Sequence, residues 1–178
     1  VVFVSSKVTA KVIRSIPKLK LVVTRSTGFD NVDLNECVRR KVTLCNVPSY
    51  GDNTVAEYTF ALILALSRKV VNAVEKTKHG DFRLDNLRGI DLKDKTIGII
   101  GTGKIGKNVV RIAKGFQMNV LAFDKFPDKS FEKQMGFNYV NIRKLLSTSD
   151  IVTLHTPLTK ETYHLINKSN IKYLKKGV

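Results

Sequence analysis

Cysteine is scarce in this chain, and no apolar run is long. The sequence has two cysteines among its 178 residues, Cys37 and Cys45, and they form no CxxC pair. Both lie in apolar stretches, so we expect buried free thiols in a reducing, cytoplasmic environment rather than a disulfide framework. The longest uninterrupted apolar run is Phe60–Leu66, far short of the ~20 residues that span a bilayer. We therefore expect neither a disulfide-rich domain nor a membrane partner.

Acidic residues are also few, and the balance is strongly basic. Lysine and arginine number 31 against 15 acidic residues, which gives a formal net charge of +16. The excess is spread along the chain without a block of five like charges, whereas a nucleic-acid-binding face usually clusters its basic groups. A solvated, lysine-rich surface is therefore the favoured interpretation, and nucleic acid is not an expected partner. The charge remains compatible with an anionic ligand.

The first third of the chain alternates short apolar segments with helical patterns, which is typical of a parallel α/β sheet. The predicted elements are strands at Val1–Val4, Leu21–Thr24 and Val42–Val47, and helices at Thr9–Ile16 and Asp33–Arg40.

The next segment of the chain has a helical pattern without intervening strands. Apolar residues recur at steps of three and four from Thr54 to Lys76, which predicts one long helix buried on a wide face. Asn53 or Thr54 is placed to cap it, with Glu57 completing a capping box with Thr54. A long helix between two α/β stretches would link two domains.

The α/β alternation resumes after a polar, glycine-containing loop at His79–Lys95. The predicted elements are strands at Thr96–Ile100, Asn119–Phe123 and Ile151–Leu154, a helix at Ile105–Phe116, and helical turns around Phe131–Met135 and Ile142–Leu146.

The sharpest motif is GTGKIG at residues 101–106, which joins the strand at Thr96–Ile100 to the following helix. In a GxGxxG motif, Gly101 permits the tight turn, Gly103 lets a pyrophosphate approach the backbone, and Gly106 lets helix and strand pack closely. The helix N-terminus adds N–H groups and a positive dipole end for phosphates. A dinucleotide site is predicted here.

An acidic residue follows the next predicted strand, where dinucleotide-binding domains carry the residue that contacts the ribose. Asp124 ends the next predicted strand, where a carboxylate accepts hydrogen bonds from the adenosine ribose and repels a 2′-phosphate. This predicts NAD rather than NADP, although the neighbouring Lys125 weakens that preference. The competing interpretation is a glycine-rich turn followed by an unrelated aspartate.

Four segments in order carry a family resemblance: TRSTGFDNVD at 24–33, NVPSYGDNTVAE at 46–57, GTGKIG at 101–106 and SDIVTLHTPLT at 149–159. The chain resembles the D-isomer-specific 2-hydroxyacid dehydrogenases, most closely their D-lactate dehydrogenase type. The resemblance implies an α/β fold of two Rossmann-like parallel-sheet domains, both incomplete in this chain. Residues 1–52 would be the C-terminal part of the substrate domain, 53–78 the linking helix, and 79–178 the N-terminal part of the NAD-binding domain.

The resemblance also implies site residues. Thr27 and Gly28 match the loop whose backbone N–H groups bind the substrate carboxylate; otherwise this segment is a simple turn before a helix. Tyr50 matches a tyrosine that faces the substrate, and packing against the linking helix is its alternative role. The implied cofactor-binding residues are Gly101, Gly103, Lys104, Ile105, Gly106, Asp124, Thr156, Pro157 and Thr162.

No catalytic residue and no metal ligand is predicted within the chain. His155 matches a position in the cofactor loop, not the acid/base, and His155 with His164 lacks a third metal ligand. In the family, the catalytic arginine, glutamate and histidine follow the segment that matches Lys175–Val178. We therefore expect an internal fragment that shows no turnover by itself.

The implied function is NAD-dependent interconversion of a small 2-keto acid, pyruvate first, with the D-2-hydroxy acid, in a homodimer. The alternatives are another 2-hydroxyacid substrate, such as phosphoglycerate or glyoxylate, and a non-catalytic NAD-sensing protein like the corepressors of the same fold.

Overall fold

The computed structural model describes residues 6–178, so the strand predicted at Val1–Val4 lies outside the described residues. The described chain divides into two compact units, one ending at Gly51 and one running from Asp52 to Val178.

Unit 1 contains helices α1 (Ala10–Arg14) and α2 (Leu34–Arg39) and strands β1 (Leu21–Val23) and β2 (Thr43–Cys45). The two strands are parallel, with Val22 opposite Leu44. Side-chain oxygens of Thr9 and Asp33 cap the two helices at their N-termini. The described elements are those expected from the sequence: β1 is one residue shorter at its C-terminal end, and the other three are shorter at both ends.

Apolar side chains of α1, β1, α2 and the adjoining segments form the core of unit 1, and the partly buried Leu44 of β2 packs against it. The buried members are Val8, Ile13, Val22, Val32, Cys37 and Val42. Cys45 is exposed, so the expectation that both thiols are buried is wrong for this residue. Cys45 is the last residue of β2 and lies on the solvent-facing side of that strand. The apolar residues around it in the sequence do not reveal which face of the strand it occupies.

Unit 2 begins with helices α3 (Asp52–Ser67) and α4 (Val70–Lys78), followed by a loop. The remaining elements are β3 (Thr96–Ile100), α5 (Lys104–Gly115), β4 (Asn119–Phe123), α6 (Lys129–Met135), β5 (Asn138–Tyr139), α7 (Ile142–Thr148), β6 (Ile151–Leu154) and a 3₁₀ turn at Ile171–Tyr173.

The single long helix predicted from Thr54 to Lys76 is wrong, because the chain breaks between α3 and α4. Lys69 has a left-handed backbone with φ of 55°. The Ser67 carbonyl accepts a hydrogen bond of 2.9 Å from the N–H of Ile90, in the following loop. A Cβ on Gly89 would lie 2.1 Å from that carbonyl, so the glycine permits the close approach. Periodicity cannot detect such a long-range contact.

The predicted cap and burial of that helix also need correction. Helix α3 begins at Asp52, so Asn53 and Thr54 lie inside it rather than at its cap. The Asn53 amide donates to Glu57 at 2.5 Å, which replaces the expected Thr54–Glu57 capping box. Few side chains are buried on these helices: Leu62 is 50% exposed and Leu66 is 77% exposed.

The sheet of unit 2 has four parallel strands in the order β5-β4-β3-β6. Strand β5 was missed in the sequence, where only three strands were expected after Lys95. Its two residues are too short to show a period, and they are recognisable only by their pairing with Leu121 and Ala122 of β4. Helix α3 packs against α5, and the rings of Phe60 and Phe116 stack with centroids 5.3 Å apart.

No helix among residues 6–178 is long and apolar enough to cross a membrane.

Candidate functional site

The carboxyl ends of three parallel strands meet at one edge of the unit 2 sheet. Ile100, at the end of β3, is in register with Phe123 of β4 and with Leu154 of β6. The residues that follow are therefore neighbours: Gly101 N–H donates to the Phe123 carbonyl at 2.8 Å, and His155 N–H donates to the Ile100 carbonyl at 2.7 Å. Strands β4 and β5 lie on one side of β3 and β6 lies on the other, so the order in which successive strands are added to the sheet reverses at β3. Open α/β sheets bind ligands at such a switch point.

Two glycines of the turn after β3 are required by its geometry. Gly101 has φ of +92°, and a Cβ there would lie 2.7 Å from the His155 carbonyl oxygen. A Cβ at Gly106 would lie 2.0 Å from the Gly101 carbonyl oxygen, where helix α5 crosses the turn. Both contacts involve backbone atoms, which cannot move aside as a side-chain tip can. The roles predicted for these two glycines, a tight turn and close packing, agree with this geometry.

Gly103 is different, because a Cβ there would meet nothing within 4 Å. It precedes Lys104 and Ile105, which open helix α5, and provides no side-chain cap. The first N–H groups of a helix have no intrahelical partner, and the dipole favours an anion in front of them. The open space at Gly103 lies at this helix end, so the arrangement fits the pyrophosphate of a dinucleotide.

Asp124 directly follows β4 and lies beside the same turn. Its Oδ2 accepts from the Thr102 N–H at 2.6 Å and from the Thr102 hydroxyl at 2.9 Å, while Oδ1 accepts from the Phe126 N–H at 2.9 Å. Partial burial acts to raise the pKa of Asp124, but these hydrogen bonds outweigh it and the net pKa is lowered. Asp124 is therefore ionised at neutral pH and able to accept ribose hydroxyls.

Thr102 and Tyr139 were not identified from the sequence as site residues. Thr102 is buried and binds Asp124 through both its N–H and its hydroxyl, and the Tyr139 hydroxyl lies 2.7 Å from the Thr102 hydroxyl. Thr102 occupies a variable position of the GxGxxG motif, and Tyr139 belongs to the unpredicted strand β5. The one signal in the sequence that could have indicated Thr102 is a polar residue inside the motif, at a position that the fold buries.

The loop after β6 carries the remaining predicted cofactor residues. Thr156 is half-buried and its methyl group lies close to Gly101, whereas Pro157 is exposed. The Thr162 hydroxyl donates to the Pro157 carbonyl and accepts from the Thr159 N–H at 2.7 Å. Thr162 thus fixes the shape of this loop from within.

His155 lies at the start of the same loop. Its Nε2 is 2.9 Å from the Thr153 hydroxyl, and burial lowers the pKa of the imidazole. It is therefore neutral at neutral pH. An apolar cavity of about 1030 Å³ runs beside β6, lined by residues that include Leu62 and Ile63 of α3, Leu154 and His155. Within the described chain, no group of three or more His, Cys, Asp and Glu side chains is arranged to hold a metal ion.

In unit 1, the loop after β1 holds Thr27 and Gly28. Their carbonyl oxygens accept hydrogen bonds from the Asn46 amide at 2.7 Å and from the Ser26 hydroxyl at 2.6 Å, respectively. Both residues are exposed, and among residues 6–178 their N–H groups have no hydrogen-bond acceptor. Such an arrangement can bind a carboxylate. Tyr50 is 67% exposed.

The fold and this site together define a dinucleotide-binding domain of the Rossmann type. Residues 60–178 match the family model described as the D-isomer specific 2-hydroxyacid dehydrogenase NAD binding domain. The chain belongs to this family, whose members are NAD-dependent dehydrogenases. The resemblance, the Rossmann-like α/β fold class with parallel sheets and NAD as the cofactor are thereby confirmed.

Curated relatives and solved structures carry the same similarity over nearly the whole chain. A glyoxylate reductase from Korarchaeum cryptofilum is 38% identical over 95% of this chain and 52% of its own length. A D-lactate dehydrogenase from Escherichia coli is 37% identical over 99% of this chain and 54% of its own. The crystal structure of D-lactate dehydrogenase from Aquifex aeolicus, complexed with NAD and lactic acid, superposes with a TM-score of 0.92 at 38% identity, over 99% of this chain and 53% of that one. The chain spans about half the length of the curated relatives it matches.

Proposed function

We propose that this chain is the cofactor-binding part of an enzyme that interconverts a small 2-keto acid and its D-2-hydroxy acid, with pyruvate as the first candidate substrate. The observation that carries the proposal is the pairing of the Gly101–Gly106 turn with the ionised Asp124 at a sheet switch point. The D-lactate dehydrogenase relative supports pyruvate, and the glyoxylate reductase relative supports glyoxylate as the second candidate.

Each predicted cofactor residue has a physical role in this proposal. The N-terminal turn of α5, with Lys104 and Ile105, binds the pyrophosphate through its N–H groups. Asp124 accepts the adenosine ribose hydroxyls. Thr156 and Pro157 form a wall beside the adenosine, while Thr162 holds their loop in shape. When bound, NAD supplies the acceptor or donor of the hydride.

The substrate would be held by unit 1. Thr27 and Gly28 present N–H groups suited to a carboxylate, because Asn46 and Ser26 fix the orientation of the adjoining peptide groups. Tyr50 is 67% exposed, which supports contact with a substrate rather than a buried structural role. We retain the proposed division into a substrate domain at 1–52, a linking segment at 53–78 and an NAD-binding domain at 79–178.

We also propose a homodimer. Helices α3 and α4 expose large apolar side chains, among them Leu66 at 77% and Val71 at 66%, and a second copy would remove this surface from water. Sedimentation of the protein over a range of concentrations tests the proposal.

The decisive test of cofactor choice is direct binding, since it requires no turnover. We expect NADH, followed by its fluorescence, to bind at least about tenfold more tightly than NADPH, because Asp124 repels the 2′-phosphate. Asp124→Asn should reduce that preference. Equal affinities of the unaltered protein for both nucleotides would remove Asp124 from the proposal.

Substrate choice is tested by NADH oxidation in an enzyme that carries this chain within the full length typical of the family. Pyruvate, glyoxylate and phosphohydroxypyruvate should be compared at equal concentration. A preference for glyoxylate or phosphohydroxypyruvate would contradict pyruvate as the substrate while leaving the reaction class intact.

A further inference from the structure

A chain of hydrogen bonds runs through the buried side of the glycine-rich turn. The Asp128 N–H lies 3.3 Å from the Tyr139 hydroxyl, which lies 2.7 Å from the Thr102 hydroxyl, which lies 2.9 Å from Asp124 Oδ2. The chain connects the end of β4, strand β5 and the turn after β3. Its members are distant in sequence and meet only in the folded domain.

The protons in this chain have a single consistent arrangement. The Asp124 carboxylate only accepts, so the one hydroxyl proton of Thr102 is donated to it. The Tyr139 hydroxyl must then donate to the Thr102 oxygen, and it accepts from the Asp128 N–H. Every bond points toward Asp124. Bonds aligned in this way polarise one another and strengthen the last one.

The consequence for Asp124 is that its two oxygens are no longer equivalent. Oδ2 already accepts two hydrogen bonds, both from Thr102, which uses its lone-pair directions. Oδ1 accepts from the Phe126 N–H and keeps acceptor capacity. The carboxylate is thus fixed in rotation, with Oδ1 as the oxygen offered to a ligand.

We propose that Tyr139 and Thr102 are positioning residues for cofactor recognition, which hold Asp124 so that Oδ1 receives the adenosine ribose. This inference rests on the proposed role of Asp124 as the ribose acceptor. Tyr139 acts through Thr102 and Asp124, and it contributes to the preference for NADH over NADPH without touching the ribose itself.

Removing the Tyr139 hydroxyl should leave the domain folded. The ring packs edge-on against Phe137 with centroids 5.1 Å apart, and the Lys129 ammonium lies 5.4 Å from the ring centroid. The Tyr139 N–H donates to Glu132 at 2.7 Å. Tyr139→Phe keeps all three contacts and changes only the hydroxyl.

The experiment is a double-mutant cycle on NADH and NADPH dissociation constants, measured for the unaltered protein, Tyr139→Phe, Asp124→Asn and the double variant. Loss of one oriented hydrogen bond predicts that Tyr139→Phe weakens NADH binding about fivefold. NADPH affinity should change by less than about twofold, because the carboxylate makes no favourable contact with a 2′-phosphate. In the Asp124→Asn background, Tyr139→Phe should have no further effect.

Two further sets of variants separate positioning from stability. Thr102→Ser keeps the hydroxyl and should retain the NADH preference, whereas the isosteric Thr102→Val should reduce it, because only the hydroxyl hydrogen bond to Asp124 is lost. Tyr173→Phe removes a tyrosine hydroxyl from the 3₁₀ turn at Ile171–Tyr173 and should leave both affinities unchanged. The Thr102 pair tests the inference even if Tyr139→Phe fails to fold.

The outcomes distinguish the inference from the function on which it rests. If Asp124→Asn weakens NADH binding but Tyr139→Phe and Thr102→Val do not, the inference is overturned and the ribose role stands. A change in thermal stability with an unchanged NADH-to-NADPH ratio overturns it equally. If Asp124→Asn leaves NADH affinity unchanged, the ribose role fails and the inference fails with it.

Discussion

The two units use the same kind of sheet but build different turns after their first strands. In unit 2, residues 101–103 join β3 directly to α5, and the turn depends on glycine because Gly101 has φ of +92°. In unit 1, the longer loop of residues 24–33 separates β1 from α2, and Gly28 lies outside the positive-φ region. The side chains of Ser26 and Asn46 stabilise this loop instead, by donating hydrogen bonds to its carbonyl oxygens.

The difference matches the anions that the two turns are proposed to bind. A pyrophosphate needs several N–H groups and close backbone approach, which a helix end behind glycines provides. A single carboxylate needs two N–H donors, which a loop held in shape by side-chain hydrogen bonds can present without a helix end. The fold of the unit 2 turn is therefore intolerant of side chains at Gly101 and Gly106, while the shape of the unit 1 loop depends on hydrogen bonds from Ser26 and Asn46. Substitutions at Gly106, Gly115 and Gly103 test this contrast.

The largest effect is expected from Gly106→Ala. The new Cβ would lie 2.0 Å from the Gly101 carbonyl oxygen, so either the helix or the turn must shift. We expect a loss of about 3 kcal/mol in the free energy of unfolding and a loss of NADH binding. Urea unfolding followed by circular dichroism measures the first, and fluorescence titration the second.

Gly115→Ala is the matched control, at the other end of the same helix and with open space around the new Cβ. It should keep or slightly raise stability, since alanine is the better helix former. Equal stabilities of the two alanine variants would show that the turn relaxes easily and would end the contrast between the units.

A purely functional effect is expected from Gly103→Val. A Cβ at Gly103 would meet nothing within 4 Å, so a branched side chain there should not disturb the folded domain. The unfolding midpoint should stay close to that of the unaltered protein, while NADH binds more than about tenfold more weakly because the valine occupies the space in front of the helix end. Gly115→Val places the same side chain away from the site. Unchanged NADH affinity in folded Gly103→Val would mean that this turn is not the phosphate cradle.

The smallest effect is expected in unit 1, at Glu36. This carboxylate is 4% exposed and accepts hydrogen bonds from the guanidinium groups of Arg39 and Arg14, which lower its pKa from 4.5 to about 2. Because the folded-state pKa is depressed, the ion pairs stabilise the unit fully above the ordinary value, and their contribution disappears as the pH falls through the folded value. Glu36→Gln should therefore lower the melting temperature near neutral pH.

The pH dependence is the discriminating measurement. The difference in melting temperature between the unaltered protein and Glu36→Gln should shrink as the pH is lowered from about 4.5 to about 2. Glu75→Gln is the control: Glu75 is half exposed and pairs with Lys78 at 2.9 Å on the surface of α4, where such pairs contribute little. A difference that stays constant across this range would indicate that Glu36 acts through packing rather than charge.

How much was predictable varies between neighbouring elements. Strands β3, β4 and β6 appear with the predicted bounds, because a buried parallel strand is a continuous apolar run with polar residues at its ends. The helix from Thr54 to Lys76 was predicted as one element and is two. At the break, the Ser67 carbonyl accepts a hydrogen bond from the Ile90 N–H, which no local pattern encodes.

The residues of the candidate site also differ in whether the sequence could predict them. The glycines and Asp124 could be proposed from the sequence because their spacing follows from the geometry of a strand, a turn and a helix, which is fixed within a short stretch of chain. Tyr139 was not found, since it lies on a strand of two residues and acts through contacts with Thr102 and Asp128. Whether Oδ1 or Oδ2 of Asp124 is offered to a ligand has no signature in the sequence at all.

The sequence by itself therefore determined the α/β class, three of the four described strands of the unit 2 sheet and the position of the glycine-rich turn, since each depends on residues close together in the chain. The tertiary structure alone decided where the first helix of unit 2 ends, how β5 completes the described sheet, and which donors orient Asp124. Those features arise from hydrogen bonds between residues far apart in sequence, and such bonds exist only once the strands have set the segments side by side.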